Sequence, residues 1–220
     1  MDKPVEDRAS PQSSTQRAYL TLRKDIITGR IPPGERLKID ALKVALDTGA
    51  SPVREALSLL TSDQLVDRLD QRGFRVAKTS RAQFQEILDL RCNLEELALR
   101  DSLANTDEAW EDALVLAHHH LNKADRSDVD TFESHHKRFH MALLAACRSP
   151  ILLRFCGQLY DLNVRYRYLA GRSKSYARRD VEAEHRAILD AAVDRDVETA
   201  CARLMDHYRK TGAFLAEQID

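Results

Sequence analysis

Hydrophobic positions along this chain recur mostly at three- and four-residue spacing, the signature of helices with one buried face. From Gln16 onward Tyr19, Leu22 and Ile26 share a face, and Gly29 suits the stop just past the helix end. Ile31-Pro32-Pro33-Gly34 predicts an extended segment and a turn, because proline forces the residue before it out of helical geometry. A short helix with Ile39, Leu42 and Leu46 inward follows, and Thr48-Gly49-Ala50 joins it to another. Ser51-Pro52 marks the start of that helix, serine as cap and proline at the first helical position, with Val53, Ala56, Leu57 and Leu60 as its apolar stripe. The period then changes. Leu65 to Leu69 and Phe74 to Val76 read as two short strands around the turn Asp70-Gln71-Arg72-Gly73. Three helices and a hairpin in this order form a winged helix-turn-helix.

Beyond Val76 strand signals cease. Ser80-Arg81-Ala82-Gln83 fits a capping box opening a long helix to about Leu103, and Asn105-x-x-Glu108 opens the next. Ser149-Pro150 repeats the serine-cap, proline-first device, and helices are expected over 128–147, 150–170, 178–193 and 197–217. Four of the seven glycines precede residue 75, so the second half has few tight turns. The predicted fold is mainly α: a disordered arm over 1–14, a winged helix-turn-helix over 15–78, and an all-α helical bundle over 79–220. Residues 77–82 are the expected coupling linker.

Composition narrows the function. With 43% hydrophobic and 31% charged residues the chain suits a globular protein with a real core. The polar, acidic start MDKPVEDRAS holds no signal-peptide core, and no apolar run approaches the ~18 residues of a membrane span. A cytoplasmic location with no membrane partner is expected. Cys92, Cys147, Cys156 and Cys201 are scattered and read as small buried hydrophobes. The net charge of -1 hides an asymmetry: residues 1–80 carry 14 Lys/Arg against 11 Asp/Glu, the remainder 20 against 24. A mildly basic head is permissive for DNA.

On a recognition helix in the major groove, residues near the N-terminus reach bases and phosphates. Arg54 lies opposite the apolar stripe, where its guanidinium suits a guanine edge or a phosphate; pairing with a neighbouring acid is the alternative. Ser51, Pro52 and Lys43 belong to the same candidate DNA surface, with Arg72 and Gly73 at the wing tip. The run Ile26-Ile27-x-Gly29-x-Ile31-x-Pro33-Gly34-x-x-Leu37, then Ser51-Pro52-Val53-Arg54-Glu55-Ala56-Leu57, then Arg72-Gly73-Phe74-x-Val76 resembles the DNA-binding domain of GntR-family regulators. The resemblance spans roughly residues 16–78. Gly49-Ala50 stands where the family often has Ser-Arg, and Gln64 replaces a usual glycine, so no operator sequence carries over.

The second half is rich in histidine. His136 and His140 are four apart and share a helix face, while His185 and His207 fall on two later helices. Such residues can converge on a metal inside a bundle, but spacing alone equally allows four separate histidines. His118-His119-His120 reads as a solvated or capping run. The segments His136-x-x-Phe139-His140, Glu184-His185-x-x-Ile188 and Met205-Asp206-His207-Tyr208 resemble the FCD ligand-binding domain of the FadR-type branch. That resemblance implies a divalent metal on His140, His185 and His207, with His136 where the family most often has aspartate. An all-imidazole set favours zinc or nickel over magnesium. Losing the carboxylate makes the site more positive, which favours an anionic effector.

Arg91 falls on the apolar stripe with Phe84, Ile87, Leu88, Leu94 and Ala98, so it needs a partner. Glu95, one turn on, is one candidate; the effector's carboxylate is the other. In the FCD family the arginine of Arg91-x-x-Leu94-Glu95 lines the pocket. Arg165 and Tyr166 are further pocket candidates. The expected function is a ligand-responsive transcriptional repressor, not an enzyme, acting as a homodimer on a palindromic operator. A metal-dependent hydrolase is the rival from another class, but Lys137 stands where H-E-x-x-H proteases carry their general base. A pure metal sensor is the second rival.

Overall fold

The computed structural model describes residues 12–70, 72–170 and 180–219. The expected arm therefore lies almost wholly outside the described residues. The chain divides into two compact units, residues 1–78 and 79–220.

In the first unit α1 (Ser14–Ile27) starts two residues earlier than its periodicity suggests, because the Ser13 hydroxyl accepts the Gln16 N–H at 3.1 Å. It ends at Gly29, whose φ of +76° is a left-handed conformation that costs a residue without Cβ nothing. α2 (Ile39–Ala45) buries none of its residues; Ile39, Leu42 and Leu46 are half-covered rather than core. α3 (Ala50–Ser62) buries Val53, Ala56, Leu57 and Leu60 against α1. Its cap is Gly49, which offers no side-chain bond, so Ser51 and Pro52 are the second and third helical residues and not cap and first. The tight Gly49 entry lets the helix begin before the serine.

The wing is a three-stranded antiparallel sheet, not a bare hairpin. β2 (Val66–Leu69) and β3 (Gly73–Val76) pair with Val66 opposite Val76 and Leu69 opposite Gly73. β1 (Arg36–Leu37) lies on the other side of β3, with Leu37 opposite Phe74. Two residues are too short a run for a strand signal. They pair because the Pro-Pro-Gly turn delivers them extended beside β3, where the Val76 N–H donates to Glu35 O at 2.9 Å.

The second unit is all helical among its described residues: α4 (Arg81–Leu103), α5 (Glu108–Lys123), α6 (Val129–Leu143), α7 (Pro150–Ala170), α8 (Val181–Val193) and α9 (Val197–Ala216). Ser80 caps α4 and Ser149 caps α7 through N–H bonds from Gln83 and Leu152. Aspartates cap the other four. Asp107, Asp128, Asp180 and Asp196 accept from Trp110, Thr131, Ala183 and Thr199 at 2.8–3.2 Å. Asp107, not Asn105, opens α5; Asn105 instead bonds back to Asp101. α4 packs on α7 and α9, α5 on α6 and α8, and α8 on α9. Trp110, Leu114, Phe139, Leu143, Leu144, Ile188 and Leu204 form the apolar core between them.

α9 lies tight against α4 at Gly212, where an added Cβ would lie 2.2 Å from Leu88 Cδ2. Gly212→Ala is therefore expected to force Leu88 from its rotamer and cost about 1–3 kcal/mol, read as a lower urea midpoint at unchanged slope. A stability equal to wild type would mean that the helices separate freely here.

Candidate functional site

The register set by the aspartate caps turns one polar patch of three helices into the bundle interior. His136 and His140 of α6, His185 of α8 and His207 of α9 are all buried, and one ring nitrogen from each lies within 4.8 Å of the others. His136 Nε2 and His140 Nε2 are 3.3 Å apart. The outer nitrogens have partners: His140 Nδ1 lies 2.9 Å from the Tyr208 hydroxyl, His207 Nδ1 2.8 Å from Glu184 Oε2, and His136 Nδ1 2.6 Å from the Tyr160 hydroxyl. His185 Nε2 is buried with no hydrogen-bond partner among the described residues.

This donor set can hold a divalent ion. Ligands about 2.0–2.1 Å from a tetrahedral ion stand roughly 3.3–3.4 Å apart, the separation already present between His136 and His140. An imidazole whose outer N–H is anchored on a carboxylate, as His207 is on Glu184, is the usual support for a metal-ligating histidine.

Beside the imidazoles lies a cavity lined by Leu88, Arg91, Asn163, Arg167, Tyr208 and Thr211 together with His136, His207 and Gly212. Arg91 is buried, its Nε 2.6 Å from Glu95 Oε1 and its Nη1 3.0 Å from Asn163 Oδ1. Burial opposes its charge, but the Glu95 carboxylate more than offsets this, so the guanidinium is held above its ordinary range and stays ionised. Arg91 Nη2 has no hydrogen-bond partner among the described residues. Both sequence alternatives for Arg91 thus coexist: Glu95 pairs with it, and one face of the fork is left over. Tyr208 donates to Glu95, closing a chain from the arginine to His140.

Arg165 and Tyr166 are not among these lining residues. Tyr166 packs on Phe84, and its hydroxyl donates to Gln83 Oε1 at 3.1 Å, at the start of α4. The cavity instead receives Asn163 and Arg167, four apart on α7, while Arg165 sits two residues from each, about 200° round the helix. His118 is another correction: it is buried against Phe139, not solvated.

In the winged unit Arg54 and Ser51 are exposed on the first turns of α3, and Pro52 is half-buried. Arg54 forms no ion pair among the described residues; the adjacent Glu55 accepts from Thr15 at 2.8 Å instead. Lys43 reaches Asp40 at 3.5 Å. Arg72 is exposed, and Gly73 opens β3 with φ +88°.

Residues 14–76 match bacterial regulatory proteins of the gntR family, and residues 86–210, more than half the chain, match the FCD domain. The chain belongs to the GntR family, in its FCD-bearing, FadR-type branch. It is 37% identical over 206 residues to the HTH-type transcriptional regulator BphR of Paraburkholderia xenovorans, covering 90% of this chain and 84% of BphR. It is 32% identical to the transcriptional repressor GlaR of Escherichia coli, over 86% of this chain and 90% of that one. Escherichia coli McbR/YncC shares the fold, with a TM-score of 0.80 at 24% identity, over 94% of this chain and 99% of that one. This GntR-family member is a transcriptional regulator of the DNA-binding class. No helix among its described residues is long and apolar enough to cross a membrane.

The regulator keeps three imidazoles of its cluster uncharged. Burial, followed by Arg167 for His136 and by His207 for His140 and His185, holds these three rings well below the usual imidazole range. Unfolded, the same rings titrate near 6.5. Between those limits the unfolded chain binds more protons, so stability present above about pH 6.5 is lost as pH falls below it. The thermal midpoint of metal-free protein is expected to drop from pH 7.5 to 5.5, the slope steepening to at most about 4 kcal/mol per pH unit for three rings. His140→Gln removes about one proton from that slope; an unchanged slope would show that the ring is charged in the native state.

Proposed function

We propose that this regulator is a repressor whose helical domain holds a divalent metal, zinc or nickel, on His136, His140, His185 and His207 and recognises a small carboxylate through Arg91. The observation that carries this reading is the convergence of four buried imidazoles beside a buried arginine with one guanidinium nitrogen left over. Four nitrogen donors suit a borderline ion better than magnesium or calcium, which prefer oxygen. A bound ion supplies positive charge and Lewis-acid attraction for a carboxylate oxygen. Arg91 and Asn163 supply orientation, and Leu88 and Thr211 limit the size of what fits.

Lys43, Ser51, Arg54, Arg72 and Gly73 are the residues we assign to the DNA surface, with Pro52 in the first turn of α3 beside them. Two chains acting on a palindromic operator fit the exposed apolar side chains of the bundle, Leu90 and Leu97 on α4 and Ile151 and Phe155 on α7, which suit a partner's surface. Effector occupancy then shifts operator affinity by its differential affinity for the two head arrangements.

Purified protein is expected to carry one zinc or nickel per chain, and chelator to lower its melting temperature. In a screen of small carboxylates, the one recognised should stabilise metal-loaded protein by about 2–3 kcal/mol at a hundredfold excess over its Kd, and metal-stripped protein far less. His140→Ala should abolish the metal. Arg91→Gln combined with Glu95→Gln, which removes both buried charges together, should keep the metal and lose the carboxylate response. Metal-free protein with an undiminished carboxylate response would overturn the reading.

A further inference from the structure

The four imidazoles are not wired alike. Tyr208 has one hydroxyl proton, and Glu95 can only accept it, so the Tyr208 oxygen accepts from His140 Nδ1–H at 2.9 Å. His207 likewise donates from Nδ1 to Glu184 at 2.8 Å. Both rings therefore carry their proton on the outside and turn an Nε2 lone pair into the cluster, the form a metal ligand needs.

His136 is wired the other way. Arg167 can only donate, and its Nη2 lies 3.0 Å from the Tyr160 hydroxyl and 3.2 Å from His136 Nδ1. With its oxygen accepting from Arg167, Tyr160 has its own proton free for His136 Nδ1 at 2.6 Å. His136 Nδ1 is thus an acceptor, and the ring proton sits on Nε2, pointing at His140 Nε2 at 3.3 Å. His136 has a complete set of hydrogen bonds without any metal.

Place adds to wiring. Of the four imidazoles only His136 and His207 line the cavity that holds Arg91 and Asn163, and His207 is anchored by Glu184. A divalent ion of this class is held by four ligands, and an anion entering from the cavity meets His136 and the anchored His207 first, so His136 is the ligand it would replace.

We propose that His140, His185 and His207 form the standing metal shell, and that His136 is an exchangeable fourth ligand whose place a small anion takes from the cavity side. His136 on departure returns to Tyr160 and Arg167. The proposal rests on the metal reading above and adds which residue gives way.

Cobalt(II) is the metal probe and acetate the anion probe, read by visible absorption together with cobalt content. Wild-type protein should bind one cobalt per chain with the intense bands of a four-coordinate ion, and acetate should shift those bands without releasing cobalt. His136→Ala should keep one cobalt and, with acetate, reach the same final spectrum at about tenfold lower acetate, because no histidine has to be displaced. Tyr160→Phe, which weakens the off-metal seat of His136, should need about tenfold more acetate than wild type. Equal acetate midpoints in all three proteins, or an acetate-silent spectrum, would overturn the exchange, as would loss of cobalt from folded His136→Ala. Failure of wild type to bind cobalt at all would instead overturn the metal reading on which it rests.

Discussion

The bundle is organised around the cost of placing polar rings and charges where water does not reach. An imidazole, a guanidinium or a phenol buried without a partner costs on the order of 1–3 kcal/mol or more, so each must either find a bond or stay neutral. This protein does both. His136, His140 and His185 stay uncharged, and Arg91 keeps its charge by lying against Glu95. Two of the buried atoms that lack a bond, His185 Nε2 and Arg91 Nη2, lie at the imidazole cluster and beside the cavity. Folding free energy from the surrounding apolar core maintains these residual valences.

That core and the polar cluster share the same helices. Phe139 stands between His136 and His140 in sequence yet is fully buried in the apolar layer, with its ring 5.4 Å from His140 and 5.3 Å from His185. A helix turns about 100° per residue, so three neighbouring positions can serve the cluster and the core at once. The aspartate caps matter for the same reason: they fix where α6, α8 and α9 begin and hence the rotational phase at which their histidines arrive.

The sequence made much of this legible. The i, i+4 pair His136 and His140 must share a face, and Arg91 on an apolar stripe must seek a partner; both follow from helical geometry alone. The winged head was readable from proline, glycine and a change of period. Other features were not. The run Arg165-Tyr166-Arg167-Tyr168 offers two arginines and two tyrosines on α7, and only tertiary packing decides that Arg165 and Tyr166 are buried while Arg167 lines the cavity. Tyr160 and Asn163 had no local signal, since their partners come from α6 and α4. β1 is two residues long and exists because of its neighbour. Ser51-Pro52 misled because a preceding glycine can open a helix without any side-chain bond.

Tyr208 follows His207 in sequence but serves a different neighbour. Its oxygen accepts from His140 while its proton goes to Glu95, which also holds Arg91. A phenol has one proton to give, and here that proton is committed. The electron density available at His140 and the charge felt at Arg91 are therefore set through one O–H bond: drawing Glu95 closer to the arginine loosens its hold on the phenol, and the phenol's oxygen in turn becomes a poorer acceptor for the imidazole. The guanidinium side and the imidazole side of this pocket behave as one coupled system, with a single shared hydrogen as its hinge.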